Sequence, residues 1–225
     1  MKLHFLSGLP RSGSTLLTSL LYQNPLIHTE GISALCEVMW QTHQSLSNAQ
    51  AILANYRQSH AHQMIADLPD RYYSEVTRPV VIDKCRAWTS PTNVQMLKQY
   101  VTQEPKIIVL TRNPADIIDS FKSLFERNGE YGFDASGMAD EFNQNIIGVQ
   151  MAKDANDPDT FLFVEFEKLI DNTQSEMNRI YKFLDLEPYL HDLANIVTMN
   201  PEDDSVYGLA GMHDVRRTIG KRDEV

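Results

Sequence analysis

Apolar positions along the chain fall into short continuous runs separated by stretches of helical spacing. Residues 3–8 form the first run, and from Ser14 the sequence LLTSLLYQ repeats its leucines at helical intervals, so the opening predicts strand, loop and helix. Val80, Val81 and Ile82 predict a second short strand, followed by a helix over about 91–101 with Pro91 in its first turn. Residues 107–110 are a continuous apolar run of the kind buried on both faces of a parallel sheet. Asn113 then caps a helix with Pro114 at its first position, running to about Arg127. A last strand over 161–164 precedes a helix whose start carries the capping box Thr173-Gln174-Ser175-Glu176. Strands alternating with helices predict an α/β fold, a doubly wound parallel sheet with helices on both faces.

Two stretches fit this alternation less well. Residues 34–77 read as mostly helical, with Leu35, Val38, Met39, Leu46, Ile52 and Leu53 as the apolar positions, and predict a lid or side layer. Residues 128–137 are rich in Gly and polar side chains and predict a surface loop. No repeat and no linker divides the chain, so a single domain is expected over residues 1–225.

Composition narrows the function classes. Hydrophobic residues make up 42% and charged residues 22%, which supplies a core and argues against disorder. Lys and Arg number 20 against 30 Asp and Glu, a formal net charge of -10, which speaks against a nucleic-acid partner. No apolar run approaches a membrane span, and the opening run is broken by Ser7, Gly8, Pro10 and Arg11, unlike a secretory h-region. Cys36 and Cys85 are too few for a disulfide framework and lack metal-ligand spacing, so a reducing, cytoplasmic location is expected. His60 and His62 have no neighbouring Cys or carboxylate, and no metal is assigned.

Local charge departs from the average at the start of the chain: no Asp or Glu precedes Glu30. Within this acid-free stretch, Gly8-Leu9-Pro10-Arg11-Ser12-Gly13-Ser14-Thr15 joins the first strand to the first helix. A helix N-terminus presents unpaired backbone N–H groups, and glycines let that backbone wrap an anion. The spacing fits the phosphate-binding pattern G-x-x-x-x-G-K-[ST] except that Ser14 stands where the lysine belongs. Arg11 supplies a cation within the loop instead. A second candidate is Arg112, at the carboxyl end of a core strand where open α/β sheets bind ligands. Ser120 lies two helical turns further on, so the pair offers a place for a second phosphate.

Together these pieces resemble the sulfotransferase superfamily that uses 3'-phosphoadenosine 5'-phosphosulfate (PAPS). The loop P-[KR]-S-G-[ST]-T of that family reads here Pro10-Arg11-Ser12-Gly13-Ser14-Thr15, and its strand-end Arg with Ser eight residues later reads Arg112 and Ser120 in TRNPADIIDS. The arginine in the loop and the Asp83-Lys84 dipeptide are closer to the tyrosylprotein and bacterial branches than to the cytosolic drug-metabolising branch. The resemblance implies that Arg11, Ser12, Gly13, Ser14 and Thr15 hold the 5'-phosphosulfate and that Arg112 and Ser120 hold the 3'-phosphate. Lys84 would stabilise the bridging oxygen, and no divalent metal would be required. The product would be 3',5'-ADP, and the acceptor a hydroxyl of a small molecule, glycan or peptide.

Departures from the family pattern bear on the proton acceptor. The cytosolic branch carries a catalytic His two residues after the strand-end Lys, where this chain has Arg86. The tyrosylprotein and glycan branches use a Glu shortly after the first helix, which implies Glu30 as general base, with Glu37 in reserve. Near the end of the chain, residues 211–222 hold Arg216, Arg217, Lys221 and Arg222, a basic segment that resembles the family's closing segment over the 3'-phosphate. Two other classes fit parts of the pattern. In a P-loop NTPase or small-molecule kinase, Val80-Val81-Ile82-Asp83 would be the strand bearing the magnesium carboxylate. A non-catalytic nucleotide-binding module would use the loop without turnover.

Overall fold

A computed structural model describes residues 1–130, 139–198 and 202–219. Strands β1 (Lys2–Gly8), β2 (Ile27–His28), β3 (Val80–Lys84), β4 (Ile107–Thr111) and β5 (Phe161–Glu165) form one parallel sheet in the order β2-β3-β1-β4-β5. Successive strand residues point to opposite faces, which divides the apolar runs between two layers. Phe5, Val81, Ile107 and Val109 face one side, whereas Leu6, Ile82, Ile108 and Leu110 face the other. The first side is covered by α2 (Leu35–Ser47), α4 (Gln58–Ala66), α6 (Pro91–Tyr100), α7 (Pro114–Arg127) and α8 (Ala139–Asp154). The second is covered by α1 (Ser14–Tyr22), α9 (Phe166–Asp171) and α10 (Thr173–Phe183). The architecture is the doubly wound α/β sheet that the alternation of runs predicts. No helix among the described residues is long and apolar enough to cross a membrane.

The winding places a crevice at the carboxyl ends of the central strands. The chain leaves β1 for α1 on one face and leaves the neighbouring β4 for α7 on the other, so the two loops diverge. Gly8 ends β1 at the mouth of this crevice with φ of 145°, and a Cβ there would lie 2.3 Å from the Leu110 carbonyl oxygen. Only glycine allows β1 to approach β4 this closely while turning into the loop.

Residues 34–77 are mostly helical, as their spacing predicts, with the short α3 (Gln50–Ala54) and α5 (Leu68–Tyr72) completing the layer. A buried polar cluster fastens this layer to the sheet. The carboxylate of Asp83, on β3, is fully buried and accepts hydrogen bonds from Ser33 Oγ at 2.5 Å, Tyr73 Oη at 2.6 Å and Trp88 Nε1 at 2.6 Å. Burial raises its pKa above the ordinary carboxylate value even though all three donors pull it down. The three donors come from before α2, after α5 and from the 3-10 turn Arg86–Thr89, so one side chain ties three segments together.

Some local expectations are corrected. The letters of the capping box at 173–176 are present, but Asn172 occupies the N-cap position with no side-chain cap bond, and Glu176 pairs with Arg179 at 2.6 Å. The two-residue edge strand β2 and the helix α8 were not expected from the pattern. In α8 the stripe is broken, with Ile146 and Ile147 exposed beside buried Val149 and Ala152. Of the loop expected over 128–137, residues 131–137 lie outside the described residues. By contrast the Asn113 cap forms as expected, its side chain accepting from the Ala115 N–H at 3.0 Å.

Two substitutions test these constraints. Gly8→Ala should cost about 2 to 4 kcal/mol in urea unfolding, because the added methyl meets strand backbone and the φ is strained. Tyr73→Phe leaves Asp83 with one fewer donor and should cost about 1.5 to 3 kcal/mol with an unchanged m-value. A change within about 0.5 kcal/mol in the second would show that Tyr73 does not fasten the layer.

Candidate active site

The crevice opens into a cavity of about 1130 Å³ lined by the loop after β1, the ends of β3 and β4, one face of α7 and the segment 202–219. The loop is shaped by left-handed residues. Arg11 has φ of 56° and Gly13, the N-cap of α1, has φ of 89°. Between them Ser12 is fully buried, and its hydroxyl donates to the Leu9 carbonyl oxygen at 2.5 Å. Ser12 therefore holds the loop's shape from inside, whereas Gly13, Ser14 and Thr15 line the cavity. The first turn of α1 carries no acidic residue, and its leading N–H groups have no acceptor within the helix.

Arg11 links the two phosphate candidates. Its Nε donates to Ser120 Oγ at 3.1 Å, and its backbone carbonyl accepts from Arg112 Nη1 at 2.8 Å. The Arg112 guanidinium also stacks on Phe166, 4.4 Å from the ring centroid. Burial lowers the pKa of Arg11, and the neighbouring guanidinium groups of Arg127, Arg112 and Arg86 lower it further. Four guanidinium groups thus converge within a chain of formal net charge -10. Asp204 opposes part of this charge, and the cluster gives the cavity the donor chemistry of a candidate anion site. Arg216 lines the same cavity, while Lys221 and Arg222 lie outside the described residues.

Strand alternation turns Asp83 into the helical layer and its neighbour Lys84 into the cavity. Lys84 Nζ donates to Glu202 Oε1 at 3.1 Å, and both side chains are nearly enclosed. Burial lowers the Lys84 pKa, opposed by Glu202. For Glu202 burial acts upward, but Lys84 and His213 outweigh it and hold the carboxyl below its ordinary value. Glu202 also accepts from the Ile32 N–H at 3.1 Å and from Tyr207 Oη at 3.2 Å.

The sequence-derived base candidates lie elsewhere. Glu30 is 39% exposed, sits 3.5 Å from His28 Nε2 and is not among the residues lining the cavity. Glu37 is exposed and accepts from Gln41 on its own helix at 2.7 Å. The carboxylate beside Lys84 is instead Glu202, followed by Tyr207 and by His213, whose Nδ1 lies 2.6 Å from Asp204 Oδ1. Sequence reasoning passed over these residues because 118 positions separate Lys84 from Glu202 and no local pattern joins them.

The match to the family model described as the sulfotransferase family covers residues 5–192. No curated protein sequence matches the chain significantly. Among solved structures, a sulfotransferase from Alicyclobacillus acidocaldarius is 14% identical with a TM-score of 0.58, over 91% of this chain and 87% of that one. The sulfotransferase domain of the Synechococcus PCC 7002 olefin synthase is 22% identical with a TM-score of 0.57, over 85% and 78%. The sulfotransferase domain from the curacin biosynthetic pathway is 18% identical with a TM-score of 0.55, again over 85% and 78%. At these identities the likeness is one of fold, but the family match runs from within β1 past the end of α10 and includes both arginine sites, so the chain belongs to the sulfotransferase family.

Proposed function

We infer that the protein moves a sulfuryl group from PAPS to an acceptor hydroxyl by in-line displacement. The observation that carries this reading is the joining of two anion sites in one cavity by Arg11, which touches Ser120 with its side chain and Arg112 with its backbone. A nucleotide bearing a 5'-phosphosulfate and a 3'-phosphate offers one anionic group to each of these two sites. The loop residues Arg11, Gly13, Ser14 and Thr15 grip the phosphosulfate, with Ser12 fixing the loop from within. Arg112, Ser120 and Arg216 take the 3'-phosphate.

Sulfuryl transfer requires alignment of three atoms and neutralisation of charge on the leaving oxygen. Lys84 supplies that charge from the end of β3, where burial lowers its pKa and the paired Glu202 opposes that shift. A kinase-like reading needs Asp83 as a magnesium carboxylate. Both of its oxygens are engaged inside the helical layer, which disfavours that role. A reducing, cytoplasmic location is inferred from the sequence having only two cysteines, too few for a disulfide framework.

Ligand-induced stabilisation tests the donor assignment. At equal concentration 3',5'-ADP should raise the melting temperature more than 5'-AMP or ATP, because it engages both sites. Arg112→Ala should weaken 3',5'-ADP binding by about 1.5 to 3 kcal/mol and erase its advantage over 5'-AMP. Equal shifts from the three nucleotides would remove the 3'-phosphate site. Lys84→Ala should lower kcat about a hundredfold while PAPS affinity changes little, since the oxygen it stabilises gains charge only as the bond breaks. Lost binding with intact turnover at saturation would contradict that role.

A further inference from the structure

We propose that His213, oriented by Asp204, is the general base that takes the proton of the acceptor hydroxyl. This assignment rests on the sulfuryl-transfer reading above and adds a residue from a segment that lies beyond the family match, which ends at residue 192.

His213 lines the cavity that holds Arg11 and Lys84, and its side chain is 13% exposed. Three contacts fix the ring. Nδ1 lies 2.6 Å from Asp204 Oδ1, the His213 backbone N–H donates to Asp204 Oδ2 at 3.3 Å, and the Tyr207 ring stands edge-on at 5.6 Å between centroids. The carboxylate selects the tautomer with the proton on Nδ1, because a carboxylate accepts and does not donate. For Asp204, burial acts upward, and the bonds from His213 overcome it and keep the carboxyl ionised below its ordinary value. The lone pair is then on Nε2, the nitrogen facing Glu202 and, through Glu202, Lys84.

The neighbouring groups decide which of them acts as base. Glu202 already accepts from Lys84, Ile32 and Tyr207, and its pKa is depressed, so little basic capacity remains on it. Its nearest oxygen is 3.5 Å from His213 Nε2, longer than an ordinary hydrogen bond, so Nε2 is not committed. The charged and titratable groups around the ring include Asp204 behind it, Glu202 and Tyr207 beside it, Lys84 across Glu202, Arg11, which bonds the Met212 carbonyl and interacts with Asp204, and Arg86, which interacts with Tyr207 and Lys84. An imidazole backed by a carboxylate beside the group that steadies the leaving oxygen is the arrangement general base catalysis requires.

The step balances as follows. The acceptor oxygen forms a bond to sulfur, its proton passes to Nε2, and the bond from sulfur to the bridging oxygen breaks with its electron pair leaving on 3',5'-ADP, next to Lys84. Asp204 stabilises the imidazolium until the proton passes to solvent.

The test measures 3',5'-ADP release from PAPS with water, with a primary alcohol and with 4-nitrophenol as probe acceptors, together with 3',5'-ADP affinity and melting temperature. His213→Gln should lower kcat/KM about a hundredfold to ten-thousandfold with water and the alcohol. Turnover with 4-nitrophenol at mildly alkaline pH, where it is mostly ionised and needs no base, should fall less than tenfold. 3',5'-ADP affinity should stay within twofold, which a merely structural role would not allow. Asp204→Asn keeps the imidazole and removes its orienting charge; it should reproduce the split between acceptors and covers the case in which His213→Gln fails to fold. Near-normal turnover in both variants, or equal losses for all three acceptors, would overturn the assignment. Abolition of turnover by Glu202→Gln or Glu30→Gln with His213→Gln active would move the base to that carboxylate. If the unsubstituted protein binds 3',5'-ADP yet releases none from PAPS with any acceptor, the sulfuryl-transfer reading itself fails.

Discussion

The buried carboxylate of Asp83 is the constraint on which the rest of the arrangement depends. It sits on a strand with its two oxygens committed to Ser33, Tyr73 and Trp88, which come from three segments of the helical layer. A charge placed there costs several kcal/mol if unpaired, so the layer is held to the geometry that supplies all three donors. Because strand side chains alternate, fixing Asp83 inward also fixes Lys84 toward the cavity. The Lys84 carbonyl then accepts from the Ser33 N–H at 2.8 Å, and Ile32, one residue earlier, donates to Glu202. The residue that anchors the layer thus sets the position of Lys84 and of the carboxylate paired with it.

Electrostatics in this protein are a matter of distribution. The chain as a whole is acidic, yet Arg11, Arg86, Arg112 and Arg127 are close enough for their charges to depress the pKa of Arg11. Part of the opposing charge comes from Glu202 and Asp204 on a single segment, which reaches the cavity from the end of the described chain. The same segment places the Met212 carbonyl on Arg11 Nη1. Excess positive charge in the cavity is therefore partly balanced from within, and a ligand's phosphates would complete that balance.

How much of this was legible in the sequence depended on whether a feature is local. The strands over 3–8 and 107–110, the loop from Gly8 to Thr15 and the Asn113 cap each rest on neighbours within a few positions, and each formed. The box at Thr173 had the right letters but lost to Asn172 and to the Glu176–Arg179 pair, since a cap pattern does not say which acceptor will win. Helical spacing puts Arg112 and Ser120 toward one crevice, and both line the cavity, but their connection through Arg11 depends on a loop conformation that only the fold reveals. Glu30 was favoured for its place after the first helix, and the chain's path leaves it beside His28 outside the cavity lining.

Of the segment 202–219 the sequence marks only the part from residue 211 onward, by its basic charge, and nothing local points to its acids or its histidine. Its contacts give that segment a double position in the proposed reaction. Lys84 Nζ cannot remain fully paired with Glu202 while it neutralises a leaving oxygen, so progress along the reaction loosens that pair. As Lys84 turns to the leaving group, the lysine's hold on Glu202 weakens, and the carboxylate becomes available to the imidazolium forming on His213, 3.5 Å away. Positive charge leaving one side of Glu202 is replaced by positive charge appearing on the other. A single carboxylate between the leaving-group cation and the base would in this way couple bond cleavage to proton removal, with no net charge change in an enclosed site.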